Sequence, residues 1–306
     1  MSNARNHHYV SKFYVAGFTK SGGSKAKIHV FDKADNKTFE TNPRNIASQR
    51  DFNRVDIEGN ENAVESSLST FEDRAAIAFK RINDSQEFSN KNDFSILMNF
   101  ICLLAIRNPM LRQTFGDFQK ELFQNVADLG VSNEKIYNSQ IKKMEESTGK
   151  KYNISYDDMK TFIEGKKYTI KLPNHNFVAT ELSVFDDILP YFFKRRWTLL
   201  VSDAEIGEFV TSDHPVTLIS SSDNSNTHLG FGLKNTEVSF PISRYLAIVG
   251  VFEDLLPPVM KANKRLVADL NGRAVNYSMR HIFSAHKNFN YLDLDGEIKP
   301  SRCILN

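Results

Sequence analysis

A chain of 306 residues, 41% hydrophobic and 25% charged, has the composition of an ordinary globular protein, not of a disordered or fibrous one, and can form one large or two smaller domains. Lys and Arg total 39 against 37 for Asp and Glu, so the formal charge of +2 draws the whole molecule neither to nucleic acid nor to an anionic membrane. Binding of either kind needs a local patch.

The opening HHYVSKFYVAGF begins with adjacent histidines, His7 and His8, which point to opposite sides of an extended backbone. The preceding MSNA resembles the scar of an expression tag, and the polar N-terminus carries no apolar core of secretory length, so no signal peptide is expected. Ser11 is a good N-cap for a short helix over KFYVA, and Gly17 stands where a left-handed C-cap would end it. After the turn SGGSK, the alternation in KIHVFD and the turn residues DKADNK before TFET predict a β-hairpin. From Glu61 to Phe88 apolar residues recur at three- and four-residue steps, the period of a helix, which places Glu65 and Glu72 on one face two turns apart.

The most apolar run, Phe94 to Ile106, spans 13 residues and contains Ser95 and Asn99; a membrane crossing needs about 20, so it predicts a buried helix, within Asp93 to Arg107. Cys102 lies inside it as a buried thiol; with only Cys303 besides, there is no disulfide framework, which fits a reducing cytoplasm. Pro109 interrupts the helix, and the chain continues helically to Gly130. Residues 131 to 180 are polar, lysine-rich and weakly periodic, a helical excursion from the main body. A further helix is expected over Glu181 to Trp197, ending in the basic cluster Lys194, Arg195 and Arg196, with solvated capping the default and phosphate contact the alternative. The remainder reads as strands in EFVTSDHPVTLIS, EVSFPI and YLAIVGVF, a loop SSDNSNTHLGFG, and a late helix near KANKRLVADLNGRAVNYSMR. The expected fold is a single α+β domain over 1–306: a short N-terminal helix and hairpin, a central helical bundle, and a C-terminal antiparallel or mixed sheet with a late helix.

Dinucleotide, phosphate-loop, HExxH, CxxC and GxSxG signatures are absent. What remains is a set of separated polar residues. Glu72 beside Phe71 and Ala75 sits at a core edge, where a carboxylate must be paired, hydrogen-bonded, metal-bound or protonated; Arg107, at the end of the apolar helix, is its natural partner. An ion pair clamping two helices explains Glu72 and Arg107 without chemistry, but not Glu65. Thr211, Ser212, Asp213 and His214 follow an apolar strand and precede Pro215; Asp213 either binds a metal or closes a turn.

These elements together resemble a bacterial and phage family known as domain of unknown function 4238. HHYVSKFYVAGF is similar to its HHYVPxFYLxxF signature, and NPRNIASQRDF and the paired-glutamate helix resemble the segments that come after it. RNPMLR, RRWTLL and FVTSDHPV resemble its Arg-x-Pro, Arg-x-Trp and TSDNPV elements; FPIS, Asn271, Arg280 and IFS resemble its closing ones. Two positions depart: Ser11 stands where the signature has proline, and His214 where it has asparagine. The resemblance implies that the separated elements belong to one design and raises the expectation that they meet in one pocket.

Two functional expectations arise. In the first, the opening segment docks on the later sheet and forms a metal-dependent hydrolase, a nuclease or phosphodiesterase of bacterial and phage conflict, acting on nucleic acid or a nucleotide in the cytoplasm without membrane contact. His8, Glu72, Asp213 and Tyr9 are then catalytic, Tyr9 as donor to the leaving oxygen. His7, His8, Glu65, Glu72 and Asp213 supply ligands to Mg, Mn or Zn, and Arg107, Ser212, His214 and Arg280 hold the substrate. In the second, the same residues form a buried polar network in a non-enzymatic binding or regulatory module, whose function lies on an exposed surface such as the lysine-rich excursion.

Overall fold

The computed structural model of the chain describes residues 5–23, 25–221, 229–253 and 256–305. It forms two compact units, Met1–Pro109 with Val178–Asn306, and Met110–Phe177. The helical excursion expected from about residue 131 thus begins earlier, at Met110.

In the first unit β1 (Asn6–His8) is followed by α1 (Lys12–Ala16) and by the hairpin β2 (Ile28–Asp32) and β3 (Lys37–Thr41). A 3-10 turn at Pro43–Asn45 leads to β4 (Ser48–Arg50), which pairs antiparallel with β1 so that His7 lies opposite Gln49. The two helices read from periodicity come next as α2 (Ala63–Ser85) and α3 (Lys91–Ile106). Asn90 caps α3 by accepting from the Asn92 and Asp93 amides, and Pro109 opens a separate helix, α4 (Pro109–Gly130), where its missing N–H has no cost. No single described helix is long and apolar enough to cross a membrane.

The second unit continues from α4 into α5 (Glu134–Thr148) and α6 (Tyr156–Glu164). Its small core of Val131, Tyr137 and Ile163 is tied by the Tyr137 hydroxyl, which donates to the Ile154 carbonyl at 2.8 Å.

α7 (Asn174–Lys194) leads back into the first unit, followed by β5 (Arg196–Val201), β6 (Thr211–Ser212), β7 (Thr217–Ser220), β8 (Thr236–Ser243), β9 (Leu246–Val251) and β10 (Val259–Lys261). The late helix is α8 (Lys264–Tyr277), and β11 (His281–Ser284), β12 (Asn290–Leu292) and β13 (Ile298–Pro300) close the chain. Among the described residues the strands form a five-stranded sheet in the order β10-β5-β9-β8-β7, a four-stranded sheet β3-β2-β11-β6, and two small ladders. The large sheet is mixed, since β10 runs parallel to β5 while the other pairs are antiparallel. The architecture is α+β. Of the loop read as SSDNSNTHLGFG, residues 222–228 lie outside the described residues.

Four local expectations need correction. Ser11 and Gly17 do stand at the N-cap and C-cap of α1, but the Ser11 side chain makes no capping bond and Gly17 is right-handed helical, not left-handed. Trp197 belongs to β5, because α7 ends at Lys194. Arg195 is not a solvated cap: it is buried and donates to the carbonyls of Phe231, Thr236 and Gly250 and to the Thr236 hydroxyl, stitching the end of α7 to β8 and β9.

The core of the first unit gathers many of the chain's phenylalanines. Tyr14 of α1 stacks on Phe240 of β8 at 5.0 Å between ring centres, while Phe79 of α2 meets Phe100 of α3 edge-on at 5.0 Å. Each such ring removed from water contributes on the order of 2–3 kcal/mol. Tyr14 also carries the polar junction. Its hydroxyl donates to the Pro241 carbonyl of β8 at 2.8 Å, so the Thr211 hydroxyl of β6, 2.7 Å away, must donate to it. One side chain from the opening motif thereby joins both large sheets. Tyr14→Phe keeps the ring and strands both partners in the core. It should lower the urea midpoint with unchanged slope, by about 1–3 kcal/mol in stability; a variant as stable as the parent would refute this junction.

Candidate functional site

The first turns of the chain, α2 and the end of α3 converge on Glu72. The 3.6-residue period of α2 turns Glu65 and Glu72 to the side that faces the opening segment, as their spacing implied. The Ser11 hydroxyl, released from capping, donates to Glu72 Oε1 at 2.6 Å. From the C-terminal end of α3 the guanidinium of buried Arg107 comes within 3.7 Å of the same oxygen. The Glu72 side chain keeps 20% of its surface exposed. Burial pushes its pKa up from the ordinary carboxylate value, Ser11 and Arg107 oppose that shift, and the negative charge of Glu65 adds to it. Glu72 therefore holds a proton to higher pH than a free side chain.

A second contact set lies close by on the same helix. Asn53, almost wholly buried, donates its backbone N–H to His7 Nδ1 at 2.9 Å and its side-chain amide to Glu65 Oε2 at 2.8 Å. An N–H can only donate, so His7 Nδ1 is unprotonated and the ring proton of the neutral imidazole sits on Nε2. His7 Nδ1 and Glu65 lie 3.9 Å apart, two acceptors ordered by one asparagine rather than an ion pair. His8 turns its Nε2 to the Arg44 carbonyl, 3.2 Å away; burial lowers its pKa, with Lys12 and Arg107 acting in the same direction and Glu65 opposing them, so it too lies within electrostatic reach of the Glu72 site. Asn53 directly follows the motif segment ending at Phe52, yet nothing in its local pattern marks it.

The other expected residues gather in a different place. Asp213, in the turn between β6 and β7, accepts the Met279 amide on Oδ1 at 2.8 Å and the Arg280 and His281 amides on Oδ2, each at 2.9 Å. It ties the β6 end to the turn between α8 and β11 and closes no local Asx turn. Ser212 supplies that turn instead, its Oγ accepting the His214 amide at 3.1 Å. Arg280, expected to hold substrate, is bidentate on buried Asp32 at 2.9 and 2.7 Å and reaches Asp35 at 2.9 Å. Tyr9 belongs with this group: burial raises its pKa, with the charge of Asp213 adding to the effect and Arg280 opposing it, so the phenol stays protonated. His214 is buried against Tyr277 with its pKa lowered, chiefly by burial, and its Nδ1 has no hydrogen-bond partner among the described residues.

The predicted constellation is thus split in two. Glu65, Glu72, Arg107 and His7 gather at the α2 face with His8 within electrostatic reach of Glu65 and Arg107, while Tyr9, Asp213 and Arg280 share the β6–β11 edge. Among the described residues no group of three or more His, Cys, Asp or Glu side chains is placed to hold a metal ion, so the five-residue ligand set His7, His8, Glu65, Glu72 and Asp213 is not assembled. Asp213 in particular has both oxygens committed to backbone amides.

The comparison with known families fits this distribution of elements along the chain. The model of the family described as "Protein of unknown function (DUF4238)" matches residues 6–288. The chain belongs to that family. No curated protein and no solved structure matches it. The matched span opens with the β1 histidines and runs past Arg280, so both polar groupings lie inside the DUF4238 region. Ser11, where the resembled signature has proline, gives this chain a donor to Glu72 that proline could not supply.

A raised carboxyl pKa has a definite consequence for stability. The folded state holds the Glu72 proton more tightly than the unfolded state, so this contribution is present below the ordinary carboxylate pKa and is lost as pH rises through the raised value. Glu72→Gln, a neutral mimic that can still accept from Ser11, should therefore be at least as stable as the parent at pH 7. The parent should lose stability relative to the variant as pH rises from the acidic side, in denaturant titrations at stepped pH; a relative gain would refute the upward shift.

Proposed function

We propose that the Glu72 site is a hydrolytic centre acting on an anionic ester, with phosphodiester cleavage by a nuclease or phosphodiesterase the reaction to test first. The observation that carries this reading is one carboxyl combining three properties: partial exposure, an upward-shifted pKa and a guanidinium at 3.7 Å. Perturbed carboxyls beside a fixed cation are frequent at catalytic sites, because the carboxyl can move a proton near neutral pH while the cation offsets substrate charge. Glu72 in its ionised form would take a proton from an attacking water as the new bond to phosphorus forms and return it to the leaving oxygen as the ester P–O bond breaks, while Arg107 would hold the anionic oxygen. A divalent Mg, Mn or Zn ion could activate the water, but its donor set is not gathered, and no step here is routed through a metal. Asp213, Ser212 and Arg280 act in this reading by positioning the sheet edge, not by touching substrate.

The partners implied are nucleic acid or a nucleotide, with no membrane. The setting proposed is the cytoplasm, in line with the free thiols Cys102 and Cys303, and the pathway proposed is conflict between bacteria and phages.

The non-enzymatic reading has its own support. Both Asp213 oxygens and His7 Nδ1 are taken by backbone amides, as in a network that fixes how the opening segment lies on its unit. Function would then sit on an exposed surface such as the lysine-rich segment from 131 to 180. Purified parent and Glu72→Gln protein, incubated with single- and double-stranded DNA, RNA and dinucleotides, with and without Mg or Mn, separate the two. The hydrolytic reading predicts cleavage by the parent and a loss of about 10²–10⁴-fold in the variant at unchanged melting temperature. No cleavage by either leaves the architectural reading.

A further inference from the structure

A cavity of about 840 Å³ opens in the first unit beside the start of α8, between the loop at 204–208 and the strands β12 and β13. None of its lining residues belongs to the Glu72 site, so its ligand chemistry is independent of the hydrolytic reading. Its size is that of pockets that enclose a drug-sized ligand.

The lining includes the apolar residues Ile206, Val267, Ala268, Phe289 and Pro300. The lining also holds an ordered polar cluster. Glu208 Oε1 accepts from the Tyr245 hydroxyl at 3.0 Å and is ion-paired with Arg244 Nη2 at 3.0 Å, and His286 Nε2 stands 3.6 Å away. Arg244 Nη2 also donates to the Tyr245 hydroxyl, Nη1 donates to the Lys20 carbonyl at 2.6 Å, and the guanidinium lies over the Tyr245 ring at 4.5 Å. These contacts fix the floor in advance of any ligand.

Charge sets the class of ligand. The lining carries the cations Arg244, Lys264 and Arg302 against Glu208 alone, and Glu208 is already matched by Arg244. Lys264 and Arg302 are exposed, line the cavity and make no ion pair among the described residues. Lys264 is also the first residue of α8, whose first-turn amides add partial positive charge at the same place. The side-chain amides of Asn288 and Asn290, on the same lining, make no hydrogen bond among the described residues and offer both donors and acceptors.

We propose that this cavity binds a nucleoside phosphate. Lys264 and Arg302 hold the phosphates, the base lies against the apolar part of the lining, and the asparagine amides meet its polar edge. An anion without a flat apolar body would leave that apolar part exposed to water, and an apolar ligand without charge would leave the two cations unmatched.

Calorimetric titration of the full chain with ATP, GTP, CTP and UTP tests this, with inorganic triphosphate as the partial probe. The expected result is saturable one-site binding of at least one nucleotide, weakened by about tenfold or more in the double variant Lys264→Ala/Arg302→Ala. Both substitutions are at exposed side chains, so an unchanged melting temperature is expected and is measured alongside. Glu72→Gln should bind as the parent does, which separates this site from the hydrolytic one. The proposal is overturned if none of the four nucleotides binds below about 1 mM, if the double variant binds as tightly as the parent, or if triphosphate alone binds as well as the nucleotides.

Discussion

A carboxylate at the edge of an apolar core is costly unless donors or a proton offset its charge, and the placing of Glu72 among α1, α2 and α3 follows from that constraint. One donor comes from Ser11, ahead of α1, and a cation comes from Arg107, at the end of α3. The three groups stand far apart in the chain, so their meeting fixes the opening segment against both helices. Because the upward pull of burial exceeds the opposing effects of Ser11 and Arg107, Glu72 holds its proton to higher pH than a free side chain although a cation lies beside it. The same compromise makes Glu72 a structural clamp and a group able to exchange protons.

Around this point the opening motif is held by buried polar contacts as much as by apolar ones. Tyr14 bridges the two large sheets, Asn53 orders His7 and Glu65, and Asp213 gathers three backbone amides at the far edge. Each contact leaves an unsatisfied buried group if one partner is removed, so the segment has few alternative ways to lie. Gly272 shows the same tightness in the apolar part: a Cβ there would overlap the Leu292 carbonyl oxygen, so the approach of α8 to β12 admits only glycine.

Local signals in the sequence are reliable where the cause is local. The hairpin of β2 and β3 follows from alternation and turn residues, and α2 and α3 from their period and from Asn90 and Pro109. The Glu72–Arg107 pairing is legible too, since a carboxylate on the core side of one helix and an arginine ending the most apolar helix have few other solutions. What escapes depends on distant backbone. Arg195 looks like part of a solvated basic cluster because the carbonyls that bury it lie 36 to 55 residues further on. Asp213 looks like a turn residue or a ligand because its amides come from 66 to 68 residues away. Ser11 has every property of an N-cap, yet a stronger acceptor in Glu72 takes its hydroxyl. The cavity beside α8 leaves no motif, since its cations come from single positions on separate elements.

The protonation of one side chain underlies all of this, and it can be read directly. In protein carrying carboxyl-labelled glutamate, one resonance should titrate above the ordinary carboxylate range, vanish in Glu72→Gln, and move still higher in Ser11→Ala, where a donor favouring the charged form is lost. A Glu72 resonance that titrates within or below the ordinary range, or that is indifferent to Ser11→Ala, would contradict the central claim.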